Sequence, residues 1–176
     1  FYDYSGTSEV GPWRSFGKKT PTKNHLIPCQ WSSSNGALYS LTPVRKGLVP
    51  NKDLWMGWED YLYGLDLKKS GYEQYIASNA ICDDNYEFKE KRIGFSKIIM
   101  AFKPDWYDYY NTRNLWLICL FYHPSLMRII RVLLRTILQF FVIIFLRSSE
   151  SKKYILILTC KGILDSLRKI TGKKDI

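Results

Sequence analysis

Through the stretch from Leu126 to Leu146, the polar residues Arg128, Arg131, Arg135 and Gln139 recur every three or four positions in a background of Ile, Leu, Val and Phe. That spacing collects them on one face of a helix and leaves the rest of its circumference apolar. Such a helix must cover its apolar side, and no other stretch constrains the fold as strongly. The uninterrupted apolar run at 140–146 falls far short of the ~20 residues of a membrane span, and central arginines cost ~2.5–3.5 kcal/mol each on insertion. The pattern predicts a helix lying in a membrane interface, with arginines toward anionic headgroups and the apolar face in the acyl boundary. A polar break at 147–153 precedes a second amphipathic helix. Leu156, Cys160, Ile163, Leu164, Leu167 and Ile170 fall on one side of it, and Lys161, Arg168 and Lys169 lie elsewhere. The alternative is a helical hairpin docked on the body, with its basic residues solvated.

Charge follows the same division. Eleven of the 26 basic residues but only three of the 16 acids lie from Arg128 onward, so most of the net +10 belongs to the C-terminal segment. A basic, partner-seeking surface is therefore expected on 123–176 and not on the body at 1–122. Nucleic acid is not the expected partner, because the basic residues alternate with aliphatic ones and no stacking platform or binding motif is present.

At 176 residues the chain is the size of one domain and has ample apolar content for a core. It begins at Phe1 without an initiator Met or a signal-peptide pattern, so a piece of a longer protein is expected. Cys29, Cys82, Cys119 and Cys160 are widely separated and form no CxxC pair, which argues against a zinc knuckle or disulfide framework and fits a reducing compartment. With His25 and His123 alone, no histidine metal motif is readable, and Tyr122-His123-Pro124 reads as a helix end.

Residues 1–24 read as an irregular lead-in, and 25–31 as a short strand broken by Pro28. The Ser34-Asn35-Gly36-Ala37 turn has the small residues and N–H groups that suit phosphate or sugar oxygens, and is equally the composition of an ordinary turn. Residues 43–54 read as a short helix and a loop. The chain then reaches Trp55-Met56-Gly57-Trp58-Glu59-Asp60, where two adjacent carboxylates open an amphipathic helix that Gly71 closes. Exposed N–H groups in the first turn favour ionised acids, and aromatic walls limit water. Glu59 and Asp60 thus suit general-base chemistry, or simply cap a helix. Residues 72–80 read as a strand, Asp83-Asp84 as oxygen ligands for a cation or a solvated loop, and 86–103 as a loop turning helical near 95–102. The aromatic stretch at 106–114 reads either as a sugar-stacking surface or as a layer packing a helix on the body.

Trp58-Glu59-Asp60 followed by Leu65, Leu67, Gly71 and Tyr72, with Ser34-Asn35-Gly36-Ala37-Leu38 upstream, resembles the C-terminal half of a family 2 glycosyltransferase. The nearest subgroup is the rhamnosyl- and galactofuranosyltransferase-like enzymes of bacterial surface polysaccharide synthesis. Trp106, Tyr109, Tyr110, Arg113 and Asn114, and the basic tail, match the usual ending of such chains, and the resemblance covers about residues 28–176.

The resemblance implies an α/β fold: a partial GT-A, Rossmann-like nucleotide-diphospho-sugar transferase domain lacking its N-terminal half, followed by C-terminal amphipathic helices. It implies an inverting, metal-dependent transferase that moves a sugar from a nucleotide-sugar donor to a polysaccharide or lipid-linked acceptor. Asp60 would be the general base, and Glu59 would orient the acceptor. Trp55, Trp58 and the turn Ser34, Asn35, Gly36 and Ala37 would contact substrate. Family members often carry a His after the strand that follows the helix; Asp83 and Asp84 stand there instead, as candidate ligands of Mg2+ or Mn2+. The Asp-x-Asp motif that supplies the principal metal ligands is not in these residues, so the chain alone is expected to be inactive. The expected setting is peripheral, at the cytoplasmic face of the plasma (inner) membrane. Exposed sheet edges favour self-association. The competing expectation is a noncatalytic membrane-binding or assembly module that uses the same tail.

Overall fold

The computed structural model describes residues 26–32, 34, 36–77, 88–93, 96–101, 104–146 and 149–175, and for 88–101 it describes the backbone. The elements in chain order are β1 (Leu26–Cys29), α1 (Leu41–Arg45), a 3-10 turn (Lys52–Leu54), α2 (Glu59–Lys69), β2 (Gln74–Ala77), β3 (Phe88–Ile93), β4 (Ser96–Ala101), α3 (Trp106–Leu117), a π-helical turn (Ile118–Tyr122), α4 (Leu126–Leu146) and α5 (Ser149–Leu167).

The two sheets among the described residues are each an antiparallel pair. β1 meets β2 with Leu26 opposite Ala77 and Cys29 opposite Gln74, and Pro28 sits opposite Tyr75. A proline survives there because a two-stranded ladder leaves each strand an open edge that needs no donor. β3 and β4 pair from Phe88–Ala101 to Ile93–Ser96. This corrects the helix expected near 95–102: Ile98 and Ile99 are β-branched, and pairing with 88–93 gives them a strand partner that local pattern alone does not reveal.

α2 carries the two adjacent carboxylates read from sequence. Glu59 and Asp60 stand in its first turn and Lys68 and Lys69 in its last, which complements the helix dipole at both ends. Gly71, at φ +82°, closes it: Tyr72 N–H donates to Leu67 O at 3.0 Å and Gly71 N–H to Lys68 O at 3.1 Å. Tyr61, Leu62, Tyr63, Gly64, Leu65 and Leu67 are all buried, so α2 is enclosed on nearly every side instead of presenting the amphipathic surface expected from sequence. Gly64 makes this possible on the β1 side, where an added Cβ would lie 2.5 Å from Trp31 Cβ. Gln74 joins sheet to helix by donating to Gln30 O at 2.7 Å and Gly64 O at 2.9 Å.

Leu54, Tyr61, Leu62, Leu65, Leu117 and Ile118 form one core cluster; Leu115, Cys119 and Val132 form another, and Trp58 packs against both. The thiol of Cys119 is pushed up to about 11 by its burial. A third cluster joins Tyr109 and Tyr110 of α3 to Leu158 of α5. Gly162 lets these two helices touch, since a Cβ there would be 2.7 Å from Tyr109 O. The packed face of α5 contains Ile155, Leu158, Thr159, Gly162, Asp165 and Ser166, whereas Cys160, Leu164 and Leu167 of the expected apolar side are exposed. Specific pairing explains the exchange. Asp165 accepts from Tyr109 OH at 2.6 Å and from Lys174 Nζ at 3.2 Å, so a carboxylate is buried where an aliphatic stripe was expected.

α4 is likewise turned with its polar face inward. Arg128 donates to His123 O at 3.0 Å, and the Arg135 guanidinium lies 4.7 Å from the Trp58 ring centroid. Gln139 bonds both Thr112 and Asp108 at 3.3 Å, and Trp116 Nε1 donates to Thr136 Oγ1 at 3.2 Å. Arg135, expected to face headgroups, thus helps attach the helix to the body through the Trp58 ring, Gln139 and Thr136 do so through Thr112, Asp108 and Trp116 of α3, and Arg128 binds a carbonyl of the turn just before α4. Among the described residues no helix is long and apolar enough to cross a membrane.

Candidate functional site

The approach to α2 is a tight turn that the sequence makes locally difficult. Trp55 and Trp58 both hold positive φ, 58° and 67°, with Gly57 between them at 81°. Bulky side chains rarely adopt this region, so tertiary partners must impose it. Asn114 supplies them. Its Nδ2 donates to Leu54 O at 2.9 Å, Met56 O at 2.7 Å and Gly57 O at 2.8 Å. Arg113, fully buried, donates to Leu54 O at 3.1 Å, Gly172 O at 2.7 Å and Asn114 Oδ1 at 2.9 Å, and its guanidinium lies near the rings of Tyr109 and Tyr110. Gly172 N–H closes the circuit on Asp53 O at 2.6 Å. The turn before the carboxylates is therefore fastened to α3 and to the C-terminal strap.

Beyond that turn, Asp60 Oδ1 accepts from Tyr61 N–H at 2.7 Å. Its carboxyl is pushed up to about 6, first by burial and then by the neighbouring Glu59, against the lowering influence of backbone donors at Tyr61, Asp60 and Ser34. The helix N-terminus was expected to hold both acids ionised; at Asp60, burial and like charge outweigh it. Glu59 Oε2 is buried, with no hydrogen-bond partner among the described residues. Trp31, Trp58 and Tyr61 form an edge-to-face aromatic group at the start of the same helix, with centroid separations of 5.5–6.1 Å.

Of the site residues read from sequence, the structure brings Ser34 to Asp60, since the Ser34 backbone is a donor to that carboxylate. The turn is closed by Ala37 N–H donating to Ser34 O at 3.2 Å, with Gly36 at φ 71°. Asn35 lies outside the described residues, as do Asp83 and Asp84. The Trp58 indole N–H is committed to Asn111, at 2.7 Å to Oδ1, so its ring forms a wall and its polar atom is already satisfied. Trp55 is 39% exposed and its ring packs tilted against Trp106 and Tyr110. Among the described residues no group of three or more His, Cys, Asp or Glu side chains is placed to hold a metal ion.

Two participants escape a reading of the sequence. Tyr39 stands close enough to Asp60 and Glu59 for both to raise its phenol, after burial, and its ring tilts against Tyr63 at 5.6 Å. Nothing in its local sequence marks it. The second, the Arg113-Asn114 pair as a clamp on the turn, does leave a readable signal: a charged and an amide side chain inside an aromatic and aliphatic helix must be buried with partners.

Comparison of the chain with protein-family models, curated proteins and solved structures finds no match.

Proposed function

We propose that the chain is the acceptor-side portion of an inverting glycosyltransferase of the GT-A type, with Asp60 as general base. One observation carries this reading. A carboxyl group pushed up to about 6 sits at a fixed helix start beside a second acid, with the Tyr39 phenol and the Ser34 turn close to it. Near neutral pH such a group is ionised yet basic enough to take a proton efficiently. Asp60 removes the proton from an acceptor hydroxyl as that oxygen bonds to the anomeric carbon of a nucleotide sugar. The bond from that carbon to the diphosphate breaks on the opposite face, the nucleoside diphosphate leaves, and the configuration inverts. Glu59 orients the acceptor. The divalent metal belongs to this reading through the resemblance alone, with Asp83 and Asp84 its candidate ligands in this chain.

The acceptor is a growing polysaccharide or lipid-linked glycan, met at the cytoplasmic face of the plasma membrane. The test is sugar transfer by the full-length protein and its Asp60→Asn variant across a panel of nucleotide sugars. Full turnover in a folded Asp60→Asn variant removes Asp60 as the base. The second reading, a noncatalytic membrane module, is favoured by the exposed apolar side of α4, and it predicts no sugar transfer by either form.

A further inference from the structure

The outer side of α4 has no cover among the described residues. Leu133, Leu134, Ile137, Leu138, Phe141 and Phe145 are 47–63% exposed, in a 21-residue helix ~31 Å long. At 100° per residue these side chains, with the other exposed apolar residues of the helix, span an arc of about 140° that contains no polar residue. The polar residues Arg128, Arg135, Thr136 and Gln139 all have partners on the body side.

We infer that α4 beds this outer arc in the acyl boundary of one lipid leaflet while its polar face stays fastened to the protein. This deepens the membrane placement in the proposed function and needs nothing from the sugar-transfer chemistry. Three features favour lipid over a second copy of the chain. The arc is broader than the narrow seam of a two-helix contact, so a flat apolar phase covers it more completely. It offers no hydrogen-bonding group of the kind that fixes register between proteins. Apart from the inward-engaged Arg128 and Arg135, Lys153 of α5 and Arg168 just after it are exposed and complementary to anionic headgroups.

The orientation has a consequence for the forces involved. With Arg128 and Arg135 engaged inward, apolar burial dominates attachment, and high salt removes only the part contributed by other basic residues. Arg135 on the Trp58 ring also places the lipid-bound helix in direct contact with the residue preceding Glu59 and Asp60.

The experiment is flotation of the full chain with phosphatidylcholine vesicles containing a minority of phosphatidylglycerol, without any sugar substrate, at low and high salt. The triple variant Leu134→Gln, Ile137→Gln, Phe141→Gln is expected to lower vesicle partitioning by about tenfold or more, and Leu38→Gln, at a fully exposed site elsewhere, to leave it unchanged. A solvatochromic label on Ile137→Cys should report an apolar environment on vesicle addition, and one on Leu38→Cys should not. Binding by the triple variant equal to the parent's overturns the inference. So does a lipid-free dimer that the triple substitution dissolves, which would assign the arc to a second copy. Because no donor or acceptor is present, these outcomes are independent of whether Asp60 is a base.

Discussion

The Asn114 side chain donates to the Gly57 carbonyl at 2.8 Å, joining residues 57 positions apart in sequence. Through the same amide it holds Leu54 O and Met56 O, and so fixes the strained turn from which α2 begins. The position of Glu59 and Asp60 is thus set from α3 as much as from their own helix.

Asn114→Ala should leave the Met56 and Gly57 carbonyls short of a donor in a largely dry site, while Leu54 O keeps its bond from Arg113. A loss of about 2–4 kcal/mol is expected, on the scale of a buried polar group deprived of its partner. Chemical denaturation checks it: the midpoint should fall while the denaturant slope stays the same. A midpoint within error of the parent's would show that water replaces the amide.

For activity, Asp60→Asn in the full-length protein should reduce sugar transfer by roughly 10²–10⁴-fold, the usual contribution of a positioned base. With the native carboxyl pushed up to about 6, the parent rate should rise with pH through about 6 and then level, because the base acts in its ionised form. A rate flat from pH 5 to pH 7 would contradict the assignment; these pH values are approximate bounds about that midpoint.

Stability should move the opposite way. Asp60 titrates higher in the folded chain than the ~3.9 of an unfolded aspartate, so its favourable contribution is complete below the unfolded value and is lost as pH rises through about 6. The cost of ionising it in place is about 2–3 kcal/mol, from the size of the shift. Asp60→Asn should abolish that decline and be more stable than the parent at neutral pH. Thermal unfolding of both proteins across the acidic to neutral range reads the difference. Parallel profiles would remove the buried-carboxylate account.

Gly162→Ala tests the contact of α5 with α3. Alanine is the better helix former by up to ~1 kcal/mol, yet its Cβ would meet the Tyr109 carbonyl at 2.7 Å and Arg113 N at 3.2 Å, both backbone. Overpacking should win, for a net loss of about 1–3 kcal/mol, visible as a lower melting temperature. A stabilised variant would mean that the two helices part at little cost.

Much of the local framework is legible in the residues themselves. The start and Gly71 end of α2, the short helix and turn that precede Trp55, the strand at 74–77 and the two C-terminal helices follow from caps, prolines and periodicity. The β3–β4 pairing is not legible in this way, since its ladder bonds depend on which segment lies alongside. The inward face of α5 departs from its aliphatic periodicity because Asp165 is buried, and that burial depends on Tyr109, 56 positions earlier. At the site, Glu59, Asp60 and the Ser34 turn are legible as residue types, whereas Tyr39 and the Asn114 clamp act across distances that local pattern does not encode.

By itself, the sequence determined that α4 has one arginine-bearing side and one apolar side, because helical geometry alone assigns residues three and four apart to a common face. It could not say which side the body would take. That was decided by Trp58, His123, Asp108 and Thr112, which meet the polar face with an aromatic ring, a carbonyl, a carboxylate and a hydroxyl, and leave the apolar arc exposed. The physical reason is that a buried polar group must find a partner nearby, and only the tertiary structure shows where the partners are.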